Sequence, residues 1–235
     1  MSITDFTYEA YSRFLALITA SGYRFTDYHH ADGTDLCVMR HDIDIEIDAA
    51  VRLAELERAT DPNLRATYFV LLSSERYNVF CRRNADGIGA IAALGHEIGL
   101  HFDETKYPDA SSVELVQAIR EETSILGQAV GVEIKAVSMH IPSQRALQAD
   151  YDLTPLVNSY SHRYFHQFKY LSDSMMSWRE NAEDIISRHE YDNLHILTHP
   201  FWYTAEPQSA RDKINHYLDQ AAGRARDDMR TIYPD

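Results

Sequence analysis

From residue 6 to 21 the apolar side chains Phe6, Tyr11, Phe14, Leu15 and Ile18 fall near helical spacing, and Gly22 follows as a stop. This predicts an amphipathic first helix. The next apolar run, Leu36 to Asp44 (LCVMRHDID), starts continuous and ends in charge, as a buried parallel strand does when its C-terminal end opens on a site. A helix is expected from about Glu46 to Ala59. The alternation then continues, with strands at 66–72 (ATYFVLL), 96–102 (HEIGLHF), 136–140 (AVSMH), near 155–160 (PLVNSY), at 168–172 (FKYLS) and at 193–199 (NLHILTH), seven in all. Helices are expected through 90–94, over 112–129 and over 210–224. Alternating strands and helices need right-handed crossovers, so the fold class is α/β with a mostly parallel sheet. Periodicity leaves an open sheet and a closed barrel as alternatives. Residues 150–166, polar and aromatic, suit a long functional loop.

Composition narrows the function. The 235 residues, 45% hydrophobic and 25% charged, are expected to form one domain, 1–235, around a single core. Lys and Arg number 22 against 36 Asp and Glu, a formal charge of -14 that repels phosphate backbones and anionic membranes. Nucleic acid is not an expected partner. Cys37 and Cys81 lie far apart without CxxC spacing, so neither a disulfide framework nor a thiolate zinc cluster is indicated. With no signal-peptide pattern at the start and no run of 18 apolar residues, the expectation is a soluble cytoplasmic protein with no membrane span.

The chemistry-bearing residues fall in one kind of place. Asp42 and Asp44, His101, His140 and His199 stand at the C-terminal ends of four separate expected strands, which converge in a parallel α/β fold. Together they offer two carboxylates and three imidazoles, enough for a divalent metal and an acid/base pair. In RHDID, period-two alternation puts both carboxylates on one face, one for metal and one for a water's proton. Asp44 or Asp48 could instead cap the next helix. In HEIGLHFDE, His96 and His101 point to opposite faces, and His101 is preferred because it ends the strand. His96 suits a backbone-bonded structural role, and Glu97, Asp103 and Glu104 are solvated or support His101. His140 could be a plain turn histidine beside Pro142. Phe201, Trp202 and Tyr203 could line a sugar site or be core.

In order along residues 36 to 203, these motifs resemble the polysaccharide deacetylases, the NodB-homology carbohydrate esterases. HDID resembles the opening motif, which implies Asp42 as the base and Asp44 as a metal ligand. ATYFV resembles the following strand, and GHEIGLH the approach to the metal-binding histidine, which implies His101. SMHIPS falls where the family has an Arg-x-x-Pro motif. YLSDSMMSW falls near an Asp and Trp motif that shapes the pocket, which makes Asp173, Trp178 and Arg179 substrate-binding candidates beside Trp202. LTH resembles the closing Leu-x-His motif, implying His199 as the general acid. The chain departs at the second metal histidine, expected four residues after the first, where Thr105 stands. His140 is the expected substitute, with Asp103 and His96 behind it. The resemblance implies a distorted (β/α)7 barrel and a zinc-like ion, with cobalt or nickel as alternatives. It also implies removal of an N-acyl group, chiefly N-acetyl, from an amino sugar, a nucleotide-linked or lipid-linked precursor of surface polysaccharide. The alternatives are a deformylase or other amidase on a modified sugar, and an inactive sugar-binding or scaffolding member.

Overall fold

The strands present alternate side chains to two surroundings, and only one of these is covered by helices. The computed structural model describes residues 2–233. Its first half runs α1 (Tyr8–Ala20), β1 (Arg24–Thr26), β2 (Leu36–Ile43), α2 (Ile47–Thr60), β3 (Thr67–Leu71), α3 (Arg82–Ala93), β4 (Glu97–Phe102) and α4 (Ser112–Val130). The second half runs β5 (Ala136–Met139), α5 (Gln144–Ala149), β6 (Val157–Asn158), β7 (Lys169–Ser172), α6 (Ala182–Ser187), β8 (Asn193–Thr198) and α7 (Ala210–Ile232). A short π-helical turn, Arg163–Gln167, precedes β7.

All strand pairs are parallel, in the order β6-β5-β4-β3-β2-β8-β7, and β1 adds to the first three residues of β2. Seven strands curl with helices outside them into the expected distorted (β/α)7 barrel, open between β6 and β7. Local signals fix the elements as the sequence suggests. At α4, Ser111 accepts from the Glu114 N–H, the Glu114 carboxylate accepts from the Ser111 N–H, and Gly131, at φ 72°, ends the helix in the left-handed region. Three short elements escape periodicity: β1 has only three residues, and α5 and α6 have six each, under two turns. The last helix continues past residue 224 to Ile232 without a stop signal.

On the helix-covered face, Met39, Tyr68, Leu100 and Ile196 meet Phe14, Leu53, Ile91 and Ile119 in one apolar core. A carboxylate lies there too. Glu57 of α2 accepts hydrogen bonds from Tyr11 (2.5 Å) and Tyr68 (2.7 Å) and lies 2.9 Å from His41 Nε2. His41 Nδ1 in turn is 2.7 Å from the Thr198 hydroxyl on β8. On the inner face, Val38, Phe69 and Ala136 pack with Tyr28, Tyr164 and Phe168. Gly99 is essential there, because a Cβ at this position would stand 2.5 Å from the Phe69 ring.

Candidate active site

The inner-face register carries the polar residues upward to one end of the barrel. Arg40 and Asp42 alternate along β2; Phe69 faces Asp42 on β3, and Leu71 faces His101 on β4. Ser138 of β5 faces His101, and His140 follows the end of β5. His199 follows β8, whose last pairing with β2 is Thr198 to His41. The five residues expected to converge from sequence do converge.

Three of them form a compact donor triangle. His101 Nε2 lies 3.1 Å from His140 Nδ1 and 3.3 Å from Asp44 Oδ1, and His140 Nδ1 lies 3.4 Å from Asp44 Oδ1. Ligands placed about 2.0–2.1 Å from a tetrahedral zinc ion would be about 3.3–3.4 Å from one another, so the edges match. Asp44 Oδ1 is buried with no hydrogen bond of its own, which an ion would remedy. Two imidazole nitrogens and one carboxylate oxygen also suit zinc chemically. The donors therefore fit a divalent metal. Thr105 takes no part, since its hydroxyl donates to Asp103 Oδ1 at 2.7 Å. Neither weaker substitute joins the triangle: Asp103 caps the short helix after β4, and His96 accepts the Ala66 N–H on the helix-covered side.

Asp42 lies beside the triangle, its Oδ2 3.6 Å from His101 Nε2. Arg40, fully buried, donates from Nε to Asp42 Oδ1 at 2.9 Å and from Nη2 to Oδ2 at 2.7 Å. Burial alone would raise the Asp42 carboxyl, but the Arg40 and His101 charges and the Arg40 hydrogen bonds outweigh it and hold the group below the usual carboxylate range. Asp42 is thus an oriented carboxylate. Arg40 Nη2 also donates to Ser138 Oγ at 2.5 Å, and Ser138 Oγ lies 3.0 Å from His101 Nδ1. One hydroxyl therefore links the arginine that holds Asp42 to His101.

His199 is held from behind. Its Nδ1 lies 2.6 Å from Asp173 Oδ1, its backbone N–H reaches the same carboxylate at 3.1 Å, and Tyr203 donates to Asp173 Oδ2 at 3.0 Å. Burial pushes the His199 imidazole down, but the Asp173 charge and hydrogen bond push it up further, to about 9. It is protonated at neutral pH. Asp173, expected on a substrate wall, is instead fully buried behind His199 and orients it. Trp202 lines a cavity of about 20 Å³, room for a methyl-sized group, together with Asp42, Asp44, Ile45, Glu46 and Pro200. Trp178 and Arg179 line a separate, larger cleft of about 410 Å³ with Tyr160, Phe165 and Tyr170.

Two contributors were not singled out in the sequence, Arg40 and Ser138, while Tyr203, weighed there as sugar-site lining or core, is buried behind His199. Arg40 alone gave a signal, being two residues before Asp42 and so on the same strand face.

The chain matches no protein-family model and no curated protein. Its structure is similar to the Xyl-CE4 domain of a multidomain xylanase from the hindgut metagenome of Trinervitermes trinervoides, at 17% identity and a TM-score of 0.43, covering 82% of this chain and 83% of that one. It is also similar to the chitin deacetylase of Colletotrichum lindemuthianum, at 15% identity and a TM-score of 0.46, covering 81% and 84%. A third similar structure is a CE4 family pseudoenzyme from Bacillus anthracis, at 12% identity and a TM-score of 0.47, covering 83% of this chain and 63% of that one. No described helix is long and apolar enough to cross a membrane.

Proposed function

We propose that the chain is a metal-dependent hydrolase that removes a small N-acyl group, chiefly N-acetyl, from an amino sugar. The observation that carries this is the donor triangle of Asp44, His101 and His140 with a carboxylate on one side and a protonated imidazole on the other. Zinc suits the donors best, with cobalt or nickel as alternatives. When bound, such an ion supplies Lewis acidity toward the acyl carbonyl oxygen and toward the attacking water. Asp42, fixed by Arg40, takes the proton of that water as it attacks the carbonyl carbon. His199, held by Asp173, gives its proton to the departing amine nitrogen as the C–N bond breaks. A carboxylic acid and a free amino sugar result. The small cavity beside Trp202 suits an acyl group of formyl or acetyl size, so deformylation is the second reading. The completed triangle favours turnover over a sugar-binding or scaffolding role. We propose the cytoplasm as its compartment and a precursor of surface polysaccharide as its substrate, on the motif resemblance alone.

The test is metal analysis of the purified chain combined with acetate and formate release from acylated amino sugars. One equivalent of zinc, cobalt or nickel is expected, with release abolished by Asp42→Asn while the metal stays bound. A chain that binds no metal and releases neither acid would sink the hydrolase reading.

A further inference from the structure

The cleft of about 410 Å³ touches the catalytic groups through one contact, and two more of its wall residues neighbour site residues along the chain. Its wall residue Tyr160 has its hydroxyl 3.4 Å from Arg40 Nη2, Ser174 follows Asp173, and Pro142 is two residues from His140. The cleft is therefore placed where a group attached to the reacting sugar can lie. Its floor is aromatic: Tyr160 stacks on Phe165 with centroids 4.8 Å apart, and Phe165 on Tyr170 at 4.6 Å.

Two residues that flank the wall along the chain are more unusual. Ile141, next to wall residue Pro142, is 72% exposed at φ 46°, and Met175, next to wall residue Ser174, is 87% exposed at φ 60°. Exposed apolar side chains on backbone that L-residues rarely adopt, one of them β-branched, mark positions where a ligand contact outweighs local cost. Leu147, 42% exposed, adds to the same wall. The charges are few. Glu180 is taken by Lys169 at 2.6 Å, which leaves Arg179 as the one lining cation without an ion-pair partner. A single guanidinium is a weak match for a pyrophosphate on a chain of net charge -14.

We propose that the cleft receives an apolar aglycone, so that the substrate is a lipid-like amino sugar glycoside rather than a nucleotide-linked one. This rests on the amino-sugar reading above and narrows it. The stacked rings support the first part of the aglycone, and Ile141 and Met175 close over its chain.

The test uses product glycosides, which carry no acyl group and cannot turn over. Binding of methyl and octyl β-glucosaminide and of UDP-glucosamine to the metal-loaded full chain is followed by tryptophan fluorescence and calorimetry. The octyl glycoside is expected to bind at least tenfold more tightly than the methyl, since burying two of the added methylenes is worth about fifteenfold. The nucleotide sugar should gain nothing over the methyl glycoside. In Ile141→Ser/Met175→Ser, both exposed positions, the octyl advantage should vanish. Equal binding of methyl and octyl glycosides, no binding of either, tighter binding of the nucleotide sugar, or an advantage that survives the double substitution would each overturn the proposal. Acyl release is measured separately: octyl discrimination without any release would reject the hydrolase and leave the cleft assignment standing.

Discussion

Ser138 carries no charge, yet its hydroxyl stands between Arg40 Nη2 and His101 Nδ1. If His101 presents Nε2 to a metal, its Nδ1 carries the hydrogen and donates to Ser138, which fixes both tautomer and ring angle. Ser138→Ala should weaken zinc binding by about 10–100-fold, read by competition with a chelator. Unchanged affinity would show that packing alone holds the ring. Asp173 acts on pH dependence instead. His199 gains stability in its charged form, so the proton-donating species predominates below about 9 and is lost above it. Turnover should therefore fall as pH rises through about 9, and Asp173→Asn should move that limb down toward the ordinary histidine value of about 6.5. An alkaline limb in kcat/KM that stays in place would assign it to another group.

Strand β2 shows what an element reveals before its neighbours are known. Its apolar start and acidic end read directly as a buried strand opening on a site, and the same logic brought His101, His140 and His199 to one place, because parallel strands share an end. Arg40 was not legible as a positioning group, since its partners Ser138 on β5 and Ser159 and Tyr160 just past β6 lie about a hundred residues later. Asp173 was legible as important but not as buried, because its partners His199 and Tyr203 lie on another element. The outer side of β2 was equally silent: His41, between two site residues in sequence, faces Glu57 across the helix layer. Glu57 joins α2 to α1, β2 and β3, and through His41 to Thr198, directly beneath Asp42 and His199. Glu57→Ala strands two tyrosine hydroxyls and an imidazole in the core and should cost about 3–5 kcal/mol, measured by urea unfolding. A loss under 1 kcal/mol would mean that water or repacking replaces the carboxylate.

Across the whole molecule, acid stability turns on the barrel interior. His195 is fully buried, with Tyr28 Oη 2.7 Å from its Nε2 and the Tyr164 carbonyl 3.2 Å from its Nδ1. Burial first, and then the Arg40 charge, pull its pKa down to about 3. The unfolded chain therefore binds a proton that the folded chain refuses between about 6.5 and 3. This contribution is complete above 6.5 and is lost on acidification at about 1.4 kcal/mol per pH unit. Unfolding free energy should fall from pH 6 to pH 5, and His195→Gln should shrink that fall; an equal fall in the two chains would exonerate His195.

Gly99 has no chemistry of its own, yet the Phe69 ring occupies the space its side chain would fill, and Arg40 rests over that ring at 5.3 Å. A single methyl group added there would press on the Phe69 ring and approach the Ala136 carbonyl to 3.0 Å, and a shift of that ring would disturb the guanidinium that aims Asp42. The aim of Asp42 thus depends on an atom's worth of empty volume, at a residue that has no side chain.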